Sequence, residues 1–181
     1  GSSWINMTLD GNWQGVDNVG EYVSLQLDSG NWPHIAYYNA TAGDLMYMYN
    51  DGSAWYKSTA YSTNNVGAHA SLSLDSNDNA HIAHYNMQFQ NLMYTNFGGG
   101  NWTTEPVDSV GRVGEYCAIA IDANDSPHIA YVDRDNGGAI KYAHKNQSWD
   151  FVEIDEEGEF ISIDIDTQNS CLLYTSDAAD E

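Results

Sequence analysis

A chain of 181 residues sets 26 acidic side chains against 5 basic ones, a formal net charge of −21 with histidine neutral. That balance excludes nucleic acid as a partner, since such binding rests on clustered Lys and Arg against phosphates, and it disfavours anionic membrane surfaces. With 42% hydrophobic and 13% aromatic residues, but no apolar run near the ~18 residues of a spanning helix, the chain reads as a folded domain without membrane insertion.

Taken in chain order, the sequence repeats itself. Gly1-Ser-Ser-Trp4 matches Gly52-Ser-Ala-Trp55, and the same tryptophan recurs at Trp102 and Trp149. Four glycines then open near-identical phrases eight residues before an aspartate: Gly20 to Asp28, Gly67 to Asp75, Gly114 to Asp122 and Gly158 to Asp166. Successive phrases lie 47, 47 and 44 residues apart. A second phrase begins six residues after the aspartate: His34-Ile-Ala-Tyr-Tyr38, His81-Ile-Ala-His-Tyr85 and His128-Ile-Ala-Tyr-Val132. A third follows at Leu45-Met-Tyr47, Leu92-Met-Tyr94 and Ile140-Lys-Tyr142.

Each unit thus holds four short apolar stretches punctuated by Gly, Asn, Asp and Ser, the pattern of strands and turns. In the first unit the strands are expected at 22–28, 33–39, 45–50 and 54–61. Both alternating sets are apolar (Ile35 and Tyr37, Ala36 and Tyr38), which predicts sheets buried on both faces. Small residues recur at Ser24, Ser71, Ala118 and Ser162, and suit sheets that taper toward an axis. The expected fold is all-β, a β-propeller fragment of about three and a half four-stranded antiparallel blades with a 47-residue repeat. Counted from the tryptophan element, the units span about 5–55, 56–102, 103–149 and a partial 150–170. An incomplete ring leaves exposed blade edges, an opening for self-association.

These phrases resemble the extracellular propeller repeats of bacterial and archaeal proteins in the sialidase-like, Asp-box-like superfamily, over residues 1–170. The resemblance implies a secreted or cell-surface protein that binds glycans or other surface proteins, or acts as a carbohydrate-active enzyme. It does not extend to sialidase chemistry: those enzymes use three arginines, and this chain has Arg112 and Arg134 alone. The repeat breaks after Asp166, where it predicts His at 172 and Tyr at 175 but the chain reads Cys171-Leu-Leu-Tyr-Thr-Ser176. Residues 171–181 resemble a translated sequencing adapter and are expected to be a non-native tail. That leaves Cys117, in register with Val23 and Ile161, as a small core residue and implies no disulfide.

Candidate chemistry is sparse. His34, His81 and His128 invite a metal hypothesis, but recurrence in every unit marks blade-building residues, satisfied by an imidazole N–H bonded to a turn carbonyl. No metal site is expected from them. Calcium is the one cofactor to weigh, with Asp133 and Asp135 of Asp133-Arg-Asp-Asn-Gly-Gly138 as weak candidate ligands; an ordinary turn is the commoner use of such a string. No catalytic set stands out among 26 acids and 13 tyrosines. Binding residues are sought where the copies differ. Trp13 lies in an insertion peculiar to the first unit, Trp32 replaces a small turn residue, Phe89 sits in the Met87–Phe89 loop, and His84 replaces the tyrosine of the other copies. His69 and His144 have no histidine counterparts either. Asn-x-Ser/Thr sequons at Asn6, Asn39, Asn101, Asn124 and Asn146 matter only in a glycosylating host. The reading that follows is a non-catalytic binding or adhesion module for glycans or surface proteins, with an enzyme completed by further blades, or a structural spacer, as alternatives.

Overall fold

A computed structural model describes residues 6–11, 17–155, 158–166, 168 and 170–176. Within them the chain is all-β, with fourteen strands and no helix. Sheet I comprises β1 (Val19–Leu27), β2 (Pro33–Asn39), β3 (Asp44–Asn50) and β4 (Trp55–Tyr61). Sheet II comprises β5 (Val66–Leu74), β6 (Ala80–Asn86), β7 (Asn91–Gly98) and β8 (Asn101–Asp108). Sheet III comprises β9 (Val113–Ile121), β10 (Pro127–Asp133), β11 (Ala139–Lys145) and β12 (Trp149–Asp155). Sheet IV is the pair β13 (Glu159–Ile165) and β14 (Cys171–Ser176). Strands pair antiparallel in sequence order within every sheet, a meander built from hairpins.

The residues of the break in the repeat still pair in register. Cys171 lies opposite Ile165 as Pro33 lies opposite Leu27, so Leu172 occupies the place of the recurring histidine.

The sheets stack in series and pack closest at their first strands, β1 on β5, β5 on β9 and β9 on β13, while the fourth strands β4 and β8 barely touch. The recurring small residues explain this fan. Ser24 Oγ accepts a hydrogen bond from Leu72 N (2.9 Å), and Ser71 Oγ accepts one from Ile119 N (3.1 Å). A larger side chain there would hold the strands apart. The phrase-opening glycine has a related cause. At Gly114 (φ +104°) an added Cβ would stand 2.7 Å from Leu92 Cα of the preceding sheet, and at Gly67 (φ +105°) 2.8 Å from Leu45 Cα. Backbone meets backbone at both places, and only glycine fits.

Two residues after each glycine comes a bulge in the pairing of first and second strands. Its occupants, Tyr22, His69, Tyr116 and Phe160, all hold positive φ, between 51° and 53°. Left-handed backbone is costly for bulky residues, about 1–3 kcal/mol each. Their rings contact one another from sheet to sheet, at centroid separations of 4.5, 4.7 and 5.5 Å.

The apolar core lies between sheets rather than within one. Leu45, Tyr47, Leu72 and Ile82 fill the first gap; Leu92, Tyr94, Ile119, Ile129 and Tyr131 fill the second. Central strands β6 and β10 are buried along their whole length, as apolar residues on both alternating sets require. The Cys117 thiol is buried, donates to His69 O (3.0 Å), and is pushed up to about 12 by desolvation. On β1, by contrast, Val23, Leu25 and Leu27 stay more than half exposed.

Candidate functional site

The end of the sheets that carries the first-to-second and third-to-fourth turns holds most of the concentrated chemistry. There each repeat aspartate caps its own turn through Oδ1. Asp28 accepts from Gly30 N and Trp32 N (2.8 and 2.7 Å), Asp75 from Asn77 N and Asn79 N (both 2.8 Å), and Asp122 from Asn124 N and Ser126 N (2.9 and 2.8 Å). Asp166 does the same with Gln168 N and Ser170 N (both 2.8 Å). These bonds hold the aspartates below the ordinary carboxylate value.

The second oxygen faces the recurring histidine, with Nε2–Oδ2 distances of 3.4 Å for His34–Asp28, 3.4 Å for His81–Asp75 and 3.6 Å for His128–Asp122. The other ring nitrogen meets a tyrosine hydroxyl: His34 Nδ1 to Tyr47 (2.5 Å), His81 Nδ1 to Tyr94, and His128 Nδ1 to Tyr142 (2.5 Å). For His34 and His81 the imidazole partners are therefore a turn carboxylate and a phenol, not the turn carbonyl expected from sequence, while His128 bonds the phenol and stands slightly further from its carboxylate. Burial raises the phenols, Tyr142 to about 12 and Tyr47 and Tyr94 further, so each stays protonated and can donate.

Above the first of these triads lies a cleft of about 480 Å³ between sheets I and II. His34, Tyr49 and Tyr56 stand opposite one another on β2, β3 and β4, with ring separations of 5.6 and 5.1 Å and near-parallel planes. Trp102 enters from β8, edge-on to Tyr47 at 5.0 Å, and Phe97 packs on Trp102 at 5.1 Å. Polar groups edge this aromatic wall: Ser58, Lys57, Asp78 and Asn79. Tyr56, at the end of that stack, is 45% exposed.

The corresponding place between sheets II and III is built differently. Trp149 packs edge-on to Tyr94 at 5.4 Å, repeating the Trp102–Tyr47 contact. The position of Phe97 is taken by Lys145, whose ammonium pairs with Glu105, the counterpart of Ser58. It lies over the rings of Tyr94 and Trp149, 5.8 and 5.7 Å from their centroids.

The sequence candidates are not brought together. Trp13 lies outside the described residues. Trp32 is at the cleft end, 43% exposed, but its indole packs on its own sheet's hairpin: a Cβ on Gly52 (φ +89°) would stand 2.5 Å from Trp32 Cζ2. Phe89, 61% exposed, is in the β6–β7 turn at the opposite end of the sheets. His84 is fully buried, with Nε2 2.9 Å from Thr95 Oγ1, and burial depresses it to about 3. Asp133 and Asp135 face different cations: Lys141 Nζ lies 3.6 Å from Asp133, and Arg112 Nε lies 3.0 Å from Asp135. The cleft residues Tyr49, Tyr56, Phe97 and Trp102 are not among the candidates that the sequence singled out. The available signal was divergence inside strands: Tyr49, Asn96 and His144 share one position, and Asn50, Phe97 and Lys145 the next.

The fold and the cleft define the class as an all-β chain of four-stranded antiparallel sheets in series, and solved structures share that fold. A fucose lectin from Kordia zhangzhouensis, in complex with methyl-fucoside, aligns over 74% of this chain and 99% of its own, at TM-score 0.51 and 18% identity. A Dyadobacter fermentans protein of unknown function aligns over 91% of this chain at TM-score 0.64 and 13% identity. A triple arginine mutant of AofleA from Arthrobotrys oligospora aligns over 83% at TM-score 0.54 and 10% identity. The chain spans 64% and 46% of the length of the last two. No family model and no curated protein matches it.

Proposed function

We propose that this chain is a non-catalytic glycan-binding module of a secreted or cell-surface β-propeller, and that the cleft between sheets I and II is its sugar site. The observation that carries the reading is the Tyr49–Tyr56 face with Trp102 and Phe97 beside Ser58, Asp78 and Asn79. A pyranose has apolar C–H faces and a rim of hydroxyls, and such a cleft offers aromatic side chains with hydrogen-bonding groups at their edge. A fold shared with a fucoside-binding lectin is consistent with this reading. The propeller assignment is supported by sheets that converge on their first strands and by the uncovered Val23, Leu25 and Leu27, which a neighbouring blade would cover. The extracellular assignment rests on the resemblance of the repeats; among the described residues no helix is long and apolar enough to cross a membrane.

A glycan array carrying fucosides and other common terminal sugars tests the reading. Saturable binding to at least one sugar class is expected, weakened tenfold or more by Tyr56→Ala, whose ring is outside the core. Silence of the folded chain across the array, or a Tyr56→Ala variant that binds undiminished, overturns it.

A further inference from the structure

In sheet III the recurring dyad acquires a third member that its sisters lack. His144 on β11 pairs with His128 on β10, where Tyr49 faces His34 and Asn96 faces His81. The His128 and His144 rings lie 4.3 Å apart at 35°. With Asp122 they present three ligand atoms all within 4.8 Å of one another. His128 Nε2 stands 3.6 Å from Asp122 Oδ2, and it is a buried ring nitrogen with no hydrogen-bond partner.

We propose that Asp122, His128 and His144 form a binding site for a divalent transition metal ion of the Zn²⁺ class. The ligand types are those of a catalytic-style zinc centre: two imidazoles and one carboxylate, with the fourth position left to water or another ligand. Ligands on a tetrahedral Zn²⁺ sit about 3.3 Å from one another at metal–ligand distances near 2.0–2.1 Å. The 3.6 Å pair is already close to that separation, and His144 is partly exposed. Asp122 is positioned by its Oδ1 bonds to Asn124 N and Ser126 N, while Oδ2 accepts from Asn124 Nδ2 (3.3 Å) and lies 3.6 Å from the imidazole.

The support behind these ligands is also in place. Metal at Nε2 requires the proton on Nδ1, and Nδ1 meets the Tyr142 hydroxyl, which can accept as well as donate. In sheets I and II no third ligand is supplied, because tyrosine or asparagine replaces His144.

The test is Zn²⁺ binding to the chelator-treated, untagged chain, read by calorimetry and by the Zn²⁺-induced rise in melting temperature. His144→Asn and His144→Tyr are the comparison variants; each installs the residue that a sister sheet carries at that place, so the fold is retained. The wild type is expected to bind one equivalent and to melt higher with Zn²⁺. Both variants should lose more than the roughly 10–100-fold that removal of a supporting partner costs a metal site. Tight binding should also shift the imidazole NMR signals of His128 and His144. Equal Zn²⁺ affinity and equal melting shifts in wild type and both variants would overturn the proposal, as would a wild type that binds no Zn²⁺.

Discussion

Asp125 of sheet III reaches back to Ser76 of sheet II with both carboxylate oxygens, accepting from Ser76 N and from its hydroxyl at 2.8 Å each. Asp78 grips Ser29 in the same way, at 2.9 and 2.6 Å, so the clamp belongs to the repeat. Both aspartates hold φ of 61°, a left-handed conformation that Asp and Asn tolerate better than other side chains. Asp125→Ala removes the clamp and adds backbone strain; a loss of about 1–2 kcal/mol is expected. Asp125→Asn keeps the conformation and one acceptor, and should lose less than half as much. Urea unfolding of the three proteins measures this. An Asp125→Ala variant as stable as wild type would show that the clamp does not couple the sheets.

A second relationship across sheet boundaries alternates in chemistry. Tyr37 OH donates to Asp10 (2.6 Å) and Tyr131 OH donates to Asp108 (2.8 Å). Sheet II has His84 at the tyrosine place and Tyr61 at the aspartate place, with rings 6.3 Å apart. The neutral pair replaces a phenol–carboxylate bond, which removes a buried charge where no lysine is placed to balance it: Lys57 serves Asp10 and Lys141 serves Asp108. Tyr61→Asp alone should destabilise by several kcal/mol, since it buries a carboxylate. Adding His84→Tyr should recover part of the loss, with a coupling of about 0.5–3 kcal/mol in a double-mutant cycle. Strict additivity would rule out the equivalence of the two pairs.

The repeat made the sheets legible because each glycine, aspartate and histidine has one recurring job. The Gly114 contact with Leu92, the Asp122 turn and the Ser71 bond to Ile119 N all leave a fixed letter at a fixed spacing. The cleft was not legible in the same way. It joins Tyr49 and Tyr56 of one sheet to Phe97 and Trp102 of the next, and no spacing within a unit shows which faces meet. Exposed-loop reasoning favoured Trp32 and Phe89, yet antiparallel hairpins place those turns at opposite ends of the sheets. His84 looked distinctive because it breaks the repeat, but its partner Tyr61 breaks it too, and the pair lies inside the stack.

Burial lowers His69, His81, His84 and His128, and His84 reaches about 3. Their unfolded-state value is near 6.5. Below that pH the unfolded chain takes up protons that the folded chain refuses, so stability falls as pH drops through about 6.5. For each histidine the loss continues until its folded value is passed. A group neutral when folded and charged when unfolded contributes a slope of about 1.4 kcal/mol per pH unit. Between about pH 6.5 and 5 the turn aspartates Asp28, Asp75, Asp122 and Asp166, held below the ordinary carboxylate value by their backbone bonds, do not compete. Urea midpoints across that window should fall steadily, and His84→Tyr should flatten the fall by about one histidine's share. A flat profile would mean that these rings become solvated and charged without unfolding.

The two inter-sheet clefts also supply a conversion experiment. Ser58→Glu with Phe97→Lys places in the first cleft the ion pair that Glu105 and Lys145 make in the second. The new ammonium would lie over Tyr47 and Trp102 as Lys145 lies over Tyr94 and Trp149. Because the neighbouring junction already accommodates that arrangement, stability should change by no more than about 1 kcal/mol, the scale of a partly exposed pair. The aromatic floor would be covered by a charged side chain with its own partner, and a sugar would have to break that pair to reach it. Glycan binding should fall at least tenfold while the melting transition stays cooperative. The reverse change, Glu105→Ser with Lys145→Phe, should open a second cleft and raise the stoichiometry of sugar bound. Undiminished binding by the folded Ser58→Glu, Phe97→Lys protein would place the sugar site elsewhere on the chain.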